Sequence, residues 1–82
     1  MYMEKEEKTL GEILPGESLN ISAVGTGSPV WRRLGELGFT KGATVDKLYV
    51  GFGGSPIAVR VSGAVIAVRR EDANKIKGRQ TF

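Results

Sequence analysis

Arg32-Arg33-Leu34-Gly35-Glu36-Leu37-Gly38-Phe39, running into Thr40-Lys41-Gly42, decides how this chain is read. Gly38 can take the left-handed backbone that closes a helix without a Cβ clash. Phe39 then falls where such an ending places an apolar residue, folded back on Leu34. A helix stopped this abruptly, feeding straight into strand-like segments, belongs to a small barrel and not to a helical bundle. The start of the same helix is also marked. Ser28 is placed as N-cap and Pro29 at the first helical position, where its missing N–H costs nothing. Val30, Trp31, Leu34 and Leu37 recur at helical spacing and are expected to form its buried stripe. About two and a half turns of helix are unstable alone, so docking must hold it.

The flanking segments alternate with a period of two. Ser18 to Val24 sets Leu19, Ile21 and Ala23 against Asn20 and Ser22, the pattern of a half-buried strand. Pro56 to Ser62 places Ile57, Val59 and Val61 inward, with Ala58 and Arg60 outward. Val65 to Arg69 follows after a tight reversal at Gly63-Ala64, with Ser62 as a further member in the alternative, so these two strands form an antiparallel hairpin. In Thr44 to Val50, Val45 and Leu48 lie an odd number apart, which predicts a bulge or strong bend. Thr9-Leu10-Gly11-Glu12 fits a capping box that opens one short turn before Pro15-Gly16. Leu10, Ile13 and Leu14 are expected to plug one end of the core. Glu71 to Ile76 reads as a helical turn with Ala73 and Ile76 inward. The organisation is then a flexible N-terminus over 1–8, one folded unit over 9–77, and a tail over 78–82 that is either loose or a short closing strand.

Composition narrows the chemistry. Eighty-two residues make one domain. There is no cysteine and no histidine, which removes disulfides, thiolate sites and Cys-His or Ser-His-Asp nucleophilic catalysis. A reducing, cytoplasmic setting is the natural expectation. No leader-like or membrane-spanning apolar run is present in the sequence. Glu71-Asp72 is the one adjacent acidic pair in the foldable part, and such a pair ordinarily serves a helix N-terminus. The glycines form no phosphate-binding fingerprint. An enzyme is not expected, nor is a bound cofactor or a metal site.

Binding remains. Residues 1–39 hold four basic and six acidic side chains; residues 40–82 hold eight and three. The basic half suits an anionic partner, or is simply a solvated surface. It lacks the dense stripe with interleaved aromatics typical of nucleic-acid binders, so nucleic acid is not the expected partner. Phe52, between glycines in Gly51-Phe52-Gly53-Gly54, is the leading contact candidate; the alternative is that it folds back over the barrel end. Arg32 and Arg33 point away from the apolar stripe and are either solvated charges or part of a site for an acidic partner. Tyr49 is a barrel-wall residue with a wet hydroxyl. The edges of a small open barrel also make a homodimer conceivable.

Taken in order, Leu10…Pro15-Gly16, a strand, Arg33-Leu34-x-x-Leu37-Gly38-Phe39-x-x-Gly42, a strand, Pro56-Ile57-x-Val59-x-Val61-x-Gly63, Val65-Ile66-Ala67-Val68-Arg69 and Ala73-x-x-Ile76 closely resemble the FeoA family. The same module is similar to the C-terminal domain of diphtheria-toxin-repressor-type regulators. The resemblance implies a mainly β, SH3-like barrel with an inserted short helix and short terminal helical turns. It assigns packing and backbone roles to Leu34, Leu37, Gly38, Gly42 and Gly63. It implies a cytoplasmic bacterial accessory protein of ferrous iron uptake, acting as an interaction module on the FeoB-type membrane GTPase-permease. It also carries a family-level link to transition-metal binding that the missing histidine and cysteine do not support. A metal-responsive regulatory domain and an RNA-binding SH3-like barrel are the alternatives.

Overall fold

A computed structural model describes residues 6–81. The chain forms β1 (Glu7–Thr9), β2 (Ser18–Ala23), α1 (Pro29–Glu36), β3 (Thr44–Val50), a single 3-10 turn (Phe52–Gly54), β4 (Ile57–Val61), β5 (Ala64–Val68), α2 (Arg70–Ala73) and β6 (Lys77–Gln80). The six strands make one antiparallel sheet in the order β1-β6-β2-β3-β4-β5. Leu19, Ile21, Val45, Ile57, Val59, Val61 and Val68 line its inner face. Trp31, Leu34 and Phe39 cover it from α1 and its exit, while Leu10, Ile13, Ala73 and Ile76 close the core from the turns. The mainly β architecture expected from the sequence is the one observed.

The exit of α1 is a full Schellman ending. Phe39 N–H donates to the Leu34 carbonyl at 3.0 Å and Gly38 N–H to that of Gly35 at 3.1 Å. Gly38 has φ +116°, and a Cβ there would meet the Ser62 hydroxyl. Phe39 is buried as expected, but Leu37 is 42% exposed and leaves the stripe. The reversal at Gly38 swings Phe39 into the space that a continuing helix would have given to the next apolar residue. At the other end Ser28 caps Val30 N–H, with Pro29 at the first helical position. The turn before β2 is a true capping box: Glu12 N–H donates to Thr9 Oγ1 (3.2 Å) and Thr9 N–H to Glu12 Oε1 (2.9 Å).

Several expectations are corrected. Residues 7–8, expected in a flexible terminus, are part of β1, and for residues 78–80 the closing-strand alternative is the one realised. Glu7, Lys8 and Thr9 pair with Arg79, Gly78 and Lys77, and β6 lies between β1 and β2. Their polar composition hides this, because only backbone groups and Gly78 enter the ladder's interior. The remainder of the expected N-terminal segment, residues 1–5, and residue 82 lie outside the described residues. Leu14 is 64% exposed instead of plugging the core. It is the first corner of a tight turn in which Glu17 N–H donates to the Leu14 carbonyl, with Pro15 and Gly16 (φ +92°) as the central pair. That is the type II arrangement, with proline and then a positive-φ glycine at its centre. Ala23 is exposed because the β2/β6 register shifts between Ile21 and Ala23. Ala58, expected outward, is buried: its cross-strand neighbours Tyr49 and Ala67 flank its small side chain on both sides. The bulge anticipated in β3 is present at Leu48, where the β3/β4 register shifts between Lys47 and Tyr49. Ser62 (φ +50°) and Gly63 (φ +79°) form the two-residue hairpin loop, the pair of left-handed residues that a type I′ turn requires.

Candidate functional site

Phe52 stands on the loop that joins β3 to β4. Its side chain is 97% exposed, so the projecting alternative is the one realised. The loop is not loosely hung. Gly54 N–H donates to the Gly51 carbonyl, and Gly51 N–H to that of Pro56 at 2.7 Å. Arg70 N–H donates to Ser55 Oγ at 3.3 Å, which ties the loop to the start of α2. Gly53 and Gly54 both have positive φ and make the tight path around Phe52 possible. Tyr49, on the last part of β3 beyond the bulge, is exposed on the strand that feeds this loop.

Arg32 and Arg33 are exposed on α1. Arg33 lines an open groove of about 620 Å³ between α1 and the β5–α2 segment, shared with Leu37, Ile66, Val68, Arg69 and Asp72. The structure therefore divides the four sequence-derived candidates. Tyr49 and Phe52 belong to the β3–β4 end, Arg33 to the groove, and Arg32 lies outside the groove's lining. Gly42 has φ +90°, its N–H donates to the Ile21 carbonyl at 2.7 Å, and its own carbonyl accepts from Asn20 Nδ2.

One important residue escapes a reading of motifs. Lys47 is only 3% exposed. Its ammonium donates to three backbone carbonyls, those of Leu10 (3.1 Å), Gly11 (3.1 Å) and Ile13 (2.6 Å). Its main chain holds the same region, with Lys47 N–H donating to the Glu17 carbonyl and Gly16 N–H to that of Lys47. The signal for it in the sequence is its even spacing from Val45, which puts a lysine on the inward face of β3. Burial pulls the Lys47 ammonium below the ordinary lysine value of 10.5, while the Glu17 carboxylate acts in the opposite sense. The folded protein thus gives up this proton at lower pH than the unfolded chain. Between the lowered value and 10.5 the unfolded state binds more protons, so stability is expected to rise with pH in that window. Comparing chemical denaturation of the wild type and Lys47→Met across that window checks this; the variant is expected to lack the rising contribution.

Two carboxylates nearby shift the other way. The Thr9 backbone N–H, and then its hydroxyl, hold Glu12 below its ordinary value, and the Leu14 N–H does the same for Glu17. Their contribution is present above about pH 4.5 and is lost as pH falls through the lowered values.

No group of three His, Cys, Asp or Glu side chains that could hold a metal ion occurs among the described residues. No helix among these residues is long and apolar enough to cross a membrane.

No curated protein matches the sequence. Among solved structures, FeoA of Stenotrophomonas maltophilia, complexed with zinc and described as a prokaryotic SH3 domain protein, is 31% identical. The match covers 87% of this chain and 95% of that one, with a TM-score of 0.73. A FeoA-like protein of Clostridium acetobutylicum superposes with a TM-score of 0.83 over 98% of this chain and 92% of its own, at 22% identity. A manganese-dependent transcriptional repressor shares the fold at 14% identity (TM-score 0.79); the match covers 94% of this chain but 43% of that one. The FeoA domain model matches residues 8–80, from the first strand of the sheet to the last. With that span and these neighbours, the chain belongs to the FeoA family of small SH3-like domains linked to ferrous iron transport.

Proposed function

We propose that this protein is an accessory factor of ferrous iron uptake that docks on the cytoplasmic part of a FeoB-type GTPase-permease. The observation that carries the reading is Phe52: a large apolar side chain almost wholly in solvent, on a loop tied at both ends. A projecting aromatic on a hydrogen-bonded loop is the type of residue on which interface energy concentrates. Tyr49 extends the contact along β3, while Arg32 and Arg33, exposed on α1, lie apart from this end. The Stenotrophomonas relative is described as a candidate activating factor for ferrous iron transport, which accords with this role. Docking acts by stabilising one conformational or nucleotide state of the transporter over another, in proportion to the difference in contact.

Calorimetric titration and pull-down against the transporter's soluble domain, in each nucleotide state, test the proposal. Retention with at least one state is expected; no heat and no retention in any state contradicts it. Phe52→Ala is expected to weaken binding by about thirtyfold, the equivalent of about 2 kcal/mol for an aromatic anchor. Its melting temperature should stay within about 2–4 °C of the wild type, because the ring is almost wholly in solvent. Unchanged affinity rules Phe52 out as the anchor.

A further inference from the structure

We propose that the outer edge of β5 is a self-association surface on which two copies of this chain pair antiparallel about Ile66. β5 pairs with β4 through five residues without a register shift, and among the described residues it has no neighbour on its other side. One row of its backbone N–H and carbonyl groups therefore faces outward. Sheet edges are ordinarily guarded by charge, proline, a bulge or extreme shortness. The opposite edge, β1, has three residues, among them Glu7 and Lys8. Ala64-Val65-Ile66-Ala67-Val68 has none of these guards, and Val65 is 60% exposed. Nor does α1 seal it, since Ile66, Ala67 and Val68 border the open groove.

Two features point to a second copy as the occupant. The first is size. Antiparallel pairing centred on Ile66 sets Ala64 against Val68 and Val65 against Ala67, so every off-centre pair matches a small residue with a larger one. The second is charge. Extending the same register brings Arg69 of one copy opposite Gly63 of the other. Gly63 belongs to the hairpin turn whose Ser62 hydroxyl lies against Gly38, just past the C-terminus of α1. That helix end carries the negative half-charge of the macrodipole, together with exposed Glu36. Each copy thus brings an arginine to the turn beside the negative helix end of its mate, and the two-fold axis makes the approach twice. Five residues of strand cover much less than the roughly 800 Å² per partner of a stable dimer, so association is expected to be weak, with a dissociation constant on the order of 100 µM.

Sedimentation velocity of the full chain from about 10 µM to 1 mM is the test, at about physiological salt. The weight-average mass is expected to rise from 8.8 kDa toward twice that value. Val65→Lys and Ala67→Lys, checked as folded by circular dichroism, are expected to remain monomeric throughout. Glu36→Lys should weaken association several-fold, and the double variant Glu36→Lys/Arg69→Glu should restore it. A mass that stays at the monomer value up to 1 mM overturns the proposal. So does association that persists undiminished in a folded Val65→Lys or Ala67→Lys. Should both lysine variants unfold, the charge exchange decides: weakening followed by restoration supports the pairing, and no change in either overturns it.

Discussion

Gly78→Ala is expected to be the most damaging single-methyl change in this protein, lowering the melting temperature by more than about 15 °C. An added Cβ would lie 2.0 Å from the Asn20 carbonyl oxygen, 2.7 Å from its carbon and 3.0 Å from the Ile21 Cα. All three obstacles are backbone, so no side-chain rotation relieves them. β6 would have to move away from β2, and it is also the only strand among the described residues that pairs with β1. A displacement of this kind costs about 3 kcal/mol or more, against a total of about 5–15 kcal/mol for a folded domain. Each kcal/mol corresponds to about 4–8 °C at this size. Gly35→Ala is the internal contrast. Gly35 is inside α1, and nothing lies within 4 Å of its added Cβ. That substitution is expected to stabilise by about 0.8 kcal/mol through helix propensity. Thermal melts of the two variants side by side give shifts of opposite sign if the packing is as described. A Gly78→Ala protein that melts like the wild type contradicts the placement of β6.

Lys47→Met is expected to cost about 2–4 kcal/mol. Methionine keeps much of the side-chain length and all of its apolar contact. It removes the three hydrogen bonds to the Leu10, Gly11 and Ile13 carbonyls. Breaking a buried charged interaction from one side strands the other partners, and here three acceptors are stranded together. The damage should be local first. Segment 10–17 is held to β3 by this ammonium and by two backbone bonds to Lys47. Amide exchange should therefore accelerate across residues 10–17 more than within β4 and β5. Lys47→Arg does not rescue it, because a planar fork cannot direct its donors to three convergent carbonyls as a tetrahedral ammonium does. Equal stability of wild type and Lys47→Met would mean that the carbonyls are satisfied in another way.

The two cases show what a linear reading of this chain reaches. The ending of α1 was legible because Gly38-Phe39 must satisfy local backbone geometry, and local geometry is written in adjacent residues. The bulge at Leu48 and the capping box at Thr9-Glu12 were legible for the same reason, as was the hairpin, although its turn is Ser62-Gly63 and not Gly63-Ala64. The projection of Phe52 was one of two open alternatives, since nothing within the loop says which way it points. Leu37 and Leu14 misled, because an apolar residue at the right spacing still leaves the core when the chain turns at that residue.

The candidate site was legible residue by residue but not as a surface. Arg32, Arg33, Tyr49 and Phe52 could each be named, yet only the folded chain separates the groove beside Arg33 from the aromatic end of β3. Lys47 was passed over because an inward lysine has meaning only through acceptors more than thirty residues away.

By itself the sequence determined the small mainly β fold, the inserted helix and its stop, and the lack of imidazole and thiol chemistry. Periodicity, caps and composition act over a few residues or over the whole chain, and both scales can be read directly. The tertiary structure alone decided that Lys77–Gln80 lies inside the sheet, that Gly78 touches the backbone of β2, and that Lys47 closes on three carbonyls. These are contacts between backbone groups far apart in the chain. Backbone is the same at every position, so no pattern of side chains announces where two such stretches will meet.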